Sequence, residues 1–476
     1  MSYETGIGLV MLAVMIGAIF LGFPISFTLL FLAFAFGWWG LGDIVFNLAY
    51  FQTIGLMKES LLAAVPLFIF MGFITEQAGM MERLFVALRL LLAPVRGALF
   101  IVVIVTAAAF AMATGIVGAA VTVLGIMAAP IMVRSGYDGR LAAGAITAGG
   151  TLGILIPPSV MLVVMGPVLG VSVADLYAAA LVPGFMLAGM YVVYVMVRSF
   201  LNPKLGPAVP KELRAPSLGA ALREFAIGVV PLAGLVMATL GSILAGIATP
   251  TEAAGVGAVG ALLLALAYGR FSLRGLHRAL LQTLATSSMV LVLALTANIF
   301  GAVFARLGTA DWITDTLLAA PLPPSLMLAV VTVLIFLLGW PFEWPAVILV
   351  FLPIFYPVVN GLGVDLVWFG ALVAVTLQTA YLSPPVAMSA YYLRQVVKSW
   401  SLGTIYKGMF EFMGIQIVAI ALIFLFPAIA TWLPERLFGS GALVVSDPLP
   451  AASTPSYTYG ESYEQMYQRS LGESGK

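Results

Sequence analysis

Two stretches of this chain set hydroxyls and glycines beside paired prolines inside long apolar runs. They are Gly149-Gly150-Thr151-Leu152-Gly153-Ile154-Leu155-Ile156-Pro157-Pro158-Ser159 and Gln378-Thr379-Ala380-Tyr381-Leu382-Ser383-Pro384-Pro385-Val386. A proline within a helix removes one N–H donor and frees the carbonyl one turn earlier. The spacing predicts free carbonyls near Gly153 and Ile154 in the first stretch, and near Ala380 and Tyr381 in the second. Such carbonyls beside a hydroxyl form a hard-oxygen set suited to sodium, as at the unwound helices of secondary transporters. Opposing loop tips can add oxygens from Thr114 and Gly115, or from Glu343. The exposed amide ends of the half-helices attract an anionic group. Gly149, Ser159 and Thr251 are the candidate contacts for it. The competing reading is that the prolines merely kink packed helices, which leaves two double breaks at matched positions unexplained.

The elements that hold these stretches recur. Pro157 and Pro384 are 227 positions apart, Pro24 and Pro250 are 226 apart, and Gly79 and Gly308 are 229 apart. One offset across half the chain points to a duplicated unit. Basic residues gather at Arg83–Arg96, Arg198–Arg223, Arg270–Arg278 and Arg394–Lys407, with a weaker pair at Arg134 and Arg140. Basic loops favour the cytoplasm, so all five are placed there. The uncharged run Gly97–Val133 then leaves and returns to one side. Each arm has about 17 residues, or about 26 Å of helix, short of a hydrocarbon core of about 30 Å. A re-entrant hairpin with its tip near Ala113-Thr114-Gly115 fits better than two full crossings.

The second half repeats these segments with its charges inverted. Ala310–Pro323, the counterpart of the basic Arg83–Arg96 loop, carries Asp311 and Asp315 and no Lys or Arg. The expected fold is therefore an all-α polytopic membrane protein made of an inverted repeat. Each half makes five crossings and carries a re-entrant helical hairpin and a Pro-Pro-broken helix. Residues 1–201 form the first repeat, with a hairpin at about 97–133 and a broken helix at about 141–168. A cytoplasmic linker covers 202–222. Residues 223–434 form the second repeat, with a hairpin at about 324–359, its tip at Trp340–Pro345, and a broken helix at about 366–391. Residues 435–476 read as a polar, disordered external tail, and Asp43–Ser60 as a surface arm. Both termini fall on the periplasmic side.

Composition agrees. The chain is 62% hydrophobic and 9% charged, against about 25% charged in soluble domains. Lys and Arg number 21 against 20 Asp and Glu, a balance that argues against a nucleic-acid surface. The sequence holds no cysteine and one histidine, His277, which disfavours thiol chemistry, a zinc site or a His-based triad. A phosphate-binding Gly-x-x-x-x-Gly-Lys-Ser/Thr loop is also lacking, so energy must come from an ion gradient or a partner. The first segment, Thr5–Leu21, reads as a retained helix rather than a signal peptide. Thr249-Pro250-Thr251-Glu252 opens a helix, and Glu252 suits its cap better than proton transfer. Glu343, a carboxylate in a hydrophobic tip, is a functional candidate or a solvated side chain. Trp38, Trp39, Tyr50 and Phe51 suit an interfacial belt or a docking surface for a second membrane subunit.

On these residues the chain resembles the large membrane subunit of tripartite ATP-independent periplasmic (TRAP) transporters. The resemblance rests on Gly149–Ser159 followed by Met161, the Pro130 and Gly136-Tyr137 hairpin exit, Ala248-Thr249-Pro250-Thr251-Glu252-Ala253-Ala254, and Ser383-Pro384-Pro385. It covers about Gly6–Pro434. The family implies an elevator-type, sodium-driven importer of a small organic acid across the bacterial inner membrane. It also implies a separate small membrane subunit of about four helices and a periplasmic substrate-binding protein. Carried onto this sequence, one sodium site falls on Thr114, Gly115, Gly150 and Thr151 with the Pro157 break. The other falls on Glu343, Gln378, Thr379 and Ser383 with the Pro384 break. The chain departs from the family at its second tip, where two Trp-Pro pairs replace smaller residues. A standalone sodium- or proton-coupled dicarboxylate carrier is the alternative, and an intramembrane enzyme a remote one.

Overall fold

The computed structural model describes residues 2–208, 218–384 and 387–439, and all regular structure among them is helical. That follows from composition, because a segment in lipid must satisfy its own backbone hydrogen bonds. Nine of the described helices are long and apolar enough to cross a membrane, or ten if Gly139–Leu155 and Val160–Leu169 count as one bent span. The chain is a multi-pass membrane protein.

The order of elements in the first half returns in the second. Tyr3–Phe20 and Ile25–Leu41 lead the first half, and Leu218–Val236 and Pro250–Ala267 lead the second. Ile44–Met57 and Ala64–Gln77 then stand where the second half has one long helix, Leu273–Arg306. Met80–Leu92 corresponds to Thr309–Leu318, and each follows a glycine in the left-handed conformation, Gly79 or Gly308. Helix pairs come next, Ala98–Thr114 with Val117–Arg134 and Pro324–Leu338 with Trp344–Gly361. The broken helices and the long helices Val173–Leu201 and Leu402–Leu425 complete the series. Start signals match as well. Asp138 and Asp365 accept from Leu141 N–H at 2.8 Å and Trp368 N–H at 2.7 Å, capping the two broken helices. Ser172 and Ser401 cap the helices that follow.

Several expected loops are helical. The Asp43–Ser60 arm contains helix Ile44–Met57, packed on Ile25–Leu41 and Leu273–Arg306. The basic Arg83–Arg96 stretch lies largely on helix Met80–Leu92, because Met80, Met81, Leu84, Phe85 and Leu88 recur at helical spacing and are buried. Its acidic counterpart lies on Thr309–Leu318. Of the linker, residues 209–217 lie outside the described residues, and a helix has already begun at Leu218, four residues before the expected boundary. The final helix Ala428–Phe438 runs into the expected tail, whose residues 440–476 lie outside the described ones.

Gly139–Leu155 is the centre of the packing. Every residue from Leu141 to Leu155 is buried, against both arms of the first helix pair and against Leu402–Leu425. Glycine permits the closest of these approaches: a methyl group added at Gly408 would lie 2.1 Å from the Arg140 carbonyl oxygen. Small residues at such crossings let backbones meet in membrane helices.

Candidate functional site

The first break spans Ile156 to Ser159, between Gly139–Leu155 and Val160–Leu169, whose axes differ by 45°. Only one of the two expected free carbonyls is available to a ligand. The Ser159 hydroxyl folds back and donates to the Ile154 carbonyl at 2.5 Å, while its own carbonyl accepts from the Tyr177 hydroxyl at 3.3 Å. The Gly153 carbonyl instead faces the tip of the first helix pair, where Ala98–Thr114 turns into Val117–Arg134. A methyl group at Gly115 would lie 3.7 Å from Gly153 O, 3.8 Å from Val160 N and 4.0 Å from Pro158 O. Gly115 has φ +61°, a conformation that side chains disfavour.

The other first-site residues surround this junction. Gly149 and Gly150 are wedged between the two arms: methyl groups there would lie 3.1 Å from Ala107 Cβ and 2.3 Å from Val121 Cγ2. Thr151 is fully buried and its hydroxyl donates to the Ala148 carbonyl at 2.8 Å. Pro157 is buried. Thr114 ends its helix, but its side chain lies outside the described residues. At the base of the pair, the Tyr137 hydroxyl accepts from Leu99 N–H at 3.3 Å and ties the two arms together.

The second break begins as Leu366–Thr376 tightens into the 3-10 turn Leu377–Tyr381, and helix resumes at Met388. Its hydroxyls also turn back on the chain. Ser383 donates to Thr379 O at 2.6 Å, and Thr379 donates to Thr376 O at 2.7 Å. Gln378 is fully buried, and its Oε1 has no hydrogen-bond partner among the described residues. Pro384 is half-buried, and Pro385 lies outside the described residues. The second tip occupies Gly339 to Glu343, slightly earlier than the expected Trp340–Pro345, because Trp344-Pro345 already starts the next helix. A methyl group at Gly339 would lie 3.2 Å from Ala380 Cβ, so this tip also meets its break.

Glu343 differs from its companions in being exposed. It precedes helix Trp344–Ala346 without capping it through its side chain. Tyr381 ends the 3-10 turn whose Ala380 meets Gly339. The Tyr392 ring in turn lies against Gly118, in the first turn after the other tip. Thr251 donates to the Ser60 carbonyl at 3.2 Å, in a 3-10 turn that touches Val160–Leu169. Glu252 forms a capping box with Thr249.

Sequence reasoning missed Tyr381 and Tyr392. Both lie close to the second break, and their aromatic type beside a tip carboxylate was the available signal. It missed Gln416 too, a fully buried amide on Leu402–Leu425. In sum, the first tip lies against the Gly153 and Pro158 carbonyls and the Val160 amide, and the second meets Ala380, two residues past the buried Gln378. This neutral oxygen set fits an alkali cation better than a soft metal.

Comparison with known proteins places this arrangement. Residues 10–429 match the family model described as tripartite ATP-independent periplasmic transporter, DctM component. The sialic acid TRAP transporter large permease protein SiaM of Vibrio cholerae is 29% identical, over 90% of this chain and 98% of that protein. The C4-dicarboxylate TRAP transporter large permease protein DctM of Rhodobacter capsulatus is 30% identical, over 79% of this chain and 87% of that protein. The ectoine TRAP transporter large permease protein TeaC of Halomonas elongata is 26% identical, over 90% and 99%. Among solved structures, the YdaH transporter of Alcanivorax borkumensis shares the fold at a TM-score of 0.57 and 17% identity, covering 80% of this chain and 88% of that one. The chain belongs to the DctM, or large permease, family of TRAP transporters, and is a transport subunit rather than an enzyme.

Proposed function

We propose that this permease imports a small organic acid across the inner membrane, driven by a sodium gradient and moving by an elevator mechanism. TRAP permeases work with a small membrane subunit and a periplasmic binding protein, and this chain uses both as separate partners. Its scaffold is built from the outer helices of each half. The moving part contains both helix pairs, read as re-entrant hairpins, and both broken helices. The two halves are inverted relative to each other, with both termini periplasmic. The matched order of elements, the matched caps and the inverted charge of the loops support this reading. Trp38, Trp39, Tyr50 and Phe51, each about 60% exposed, supply an aromatic face for the small subunit or the lipid interface.

One observation carries the coupling mechanism: each tip touches its own break, Gly115 at Gly153 and Gly339 at Ala380. A cation held between a tip and a break closes that tip, and closure couples ion binding to movement of the substrate. Sodium is held by Gly115, Gly150 and Thr151 with the Pro157 break, joined by Thr114. A second ion sits among Glu343, Gln378, Thr379 and Ser383 with the Pro384 break. Relatives named for sialic acid, C4-dicarboxylates and ectoine all carry acids, and amide ends at the breaks suit the shared carboxylate.

The test is thermal stability of the purified permease with its small subunit in sodium, potassium or choline chloride. A ligand that binds only the folded state stabilises it by RT ln(1 + [L]/Kd), about 2.7 kcal/mol at a hundredfold excess over Kd. A saturable rise specific to sodium is expected. Thr151→Ala and Ser383→Ala should each raise the half-saturating sodium concentration by about fivefold, the ~1 kcal/mol of one hydrogen bond. Equal melting in all three salts would exclude sodium as the coupling ion.

A further inference from the structure

The seam between helices Val173–Leu201 and Leu402–Leu425 joins an apolar groove to a cluster of charges. Met186, Met190, Val193 and Tyr194 from the first helix and Ile415 and Val418 from the second line an open groove of about 520 Å³. Gly189 lies in its wall, and a methyl group there would meet nothing within 4 Å. Tyr194 is the last groove residue along its helix, and its hydroxyl donates to Glu411. Arg198, one turn beyond, donates to the Tyr194 hydroxyl at 2.7 Å and to the same Glu411 oxygen at 3.3 Å. Arg140, at the start of the first broken helix, meets the other Glu411 oxygen at 2.6 Å. Both ion pairs found among the described residues thus converge on one carboxylate. Lys407, exposed and four residues before Glu411, adds positive charge on the same helix face.

Positive charge is in excess where the groove ends. A guanidinium carries several N–H donors, so two of them offer more than one carboxylate accepts. The arginines are also the more exposed members, with side chains 41% and 31% exposed against 19% for Glu411, so the surplus faces outward. The length of the seam fits one leaflet of a bilayer. Met186 and Arg198 are 12 positions apart, about 18 Å of helix, against about 15 Å for half of a hydrocarbon core of about 30 Å. Basic pockets between membrane helices on the cytoplasmic side recognise acidic headgroups, and Arg198 opens a basic stretch placed on that side. We propose that this seam binds an anionic phospholipid of the inner leaflet. Its phosphodiester lies at Arg140 and Arg198, and one acyl chain runs along the groove past Gly189. The lipid thereby braces the first broken helix against the two long helices. This inference concerns the lipid-facing side of the fold and stands whatever ion or substrate is carried.

The test compares dioleoyl phosphatidylglycerol with dioleoyl phosphatidylcholine, which share acyl chains and differ in net headgroup charge, and with inorganic phosphate. Each is titrated into the purified permease with its small subunit, and thermal stabilisation gives a half-saturating concentration. For the wild type, that concentration should be lower for phosphatidylglycerol than for phosphatidylcholine by about fivefold or more. Inorganic phosphate should not stabilise it. Arg140→Gln and Arg198→Gln should each bring the two lipids to within about twofold of one another. Gly189→Leu puts a side chain into the groove where its Cβ has room, and should weaken both lipids while keeping their ratio. It leaves every charge in place, so it decides the matter even if an arginine variant does not fold. Equal response of the wild type to the two lipids overturns the proposal, as does an undiminished preference in both folded arginine variants. Stabilisation by phosphate alone would assign the arginines to a free anion and overturn the lipid site. Unchanged lipid binding in Gly189→Leu would take the acyl chain out of the groove, with the same result.

Discussion

Around the first break the partner surface is small, and around the second it is large and aromatic with one carboxylate. Gly115 enters the first break directly against backbone atoms, and Gly149 and Gly150 let both arms close on the broken helix. Every residue there from Leu141 to Met165 is buried. At the second break the tip carries Trp340, Pro341, Phe342 and Glu343, and Gly339 meets Ala380. The same fault in a helix thus has two surroundings. The first offers almost only backbone oxygen and amide, which suits a small ion and tolerates no added volume. The second adds a tip carboxylate and the buried Gln378 amide, whose Oε1 has no partner among the described residues.

The largest effect should come from filling the tight crossing beneath the first break. Gly408→Ala places a methyl group 2.1 Å from the Arg140 carbonyl and 2.8 Å from Gly144 N, so backbone must move. Gly370→Ala in the second broken helix meets the Leu176 side chain at 2.6 Å instead, and a side chain can rotate away. Overpacking costs about 1–3 kcal/mol and occasionally more, with Gly408→Ala at or above the top of that range and Gly370→Ala near the bottom. Melting temperatures of the two purified variants give the comparison. Equal losses would mean that the first broken helix is no more tightly held than the second.

A smaller effect, visible in transport more than in folding, should separate the two tips. Gly115 has φ +61°, so Gly115→Ala bears a strain of about 1–2 kcal/mol where the tip must fit the break. Gly339 has φ −63° and meets only the Ala380 methyl and nearby carbonyls at 3.2 Å or more. Uptake into proteoliposomes should fall about tenfold for Gly115→Ala and about threefold or less for Gly339→Ala, reflecting strain at the first tip alone. The reverse order would assign the tighter gate to the second tip.

Much of this was legible in the sequence, and the parts that were not have physical reasons. Double prolines and a constant offset announced the breaks and their pairing, because proline cannot remain hidden in a helix. The tip at Gly115 could be read from small residues in the middle of an uncharged run. Ser159 and Ile154 could not: a hydroxyl two residues past a proline can fold back or face a ligand, and only packing chooses. By charge alone the basic Arg83–Arg96 stretch is a loop, whereas the helical spacing of the buried Met80, Leu84 and Leu88 makes most of it helix. The Tyr392 ring rests on Gly118 from a separate helix, and no local spacing encodes a contact between elements 274 positions apart.

The smallest predicted effect tests whether the two broken helices begin alike. Asp138 and Asp365 cap them with nearly identical geometry, each through one carboxylate oxygen to the N–H three residues on, at 2.8 Å and 2.7 Å. Replacing an N-cap aspartate by alanine costs about 1 kcal/mol. The Asp138 bond is part-buried and the Asp365 bond is exposed. Water can replace the second cap more readily than the first, since a buried donor left without a partner bears the full desolvation penalty. Asp138→Ala should therefore lower stability by about 1 kcal/mol or slightly more, and Asp365→Ala by about half as much. Chemical denaturation of both variants in the same detergent measures the difference. A larger loss at Asp365 would reverse the contrast, making the start of the second broken helix the more dependent on its cap even though its break is the more open.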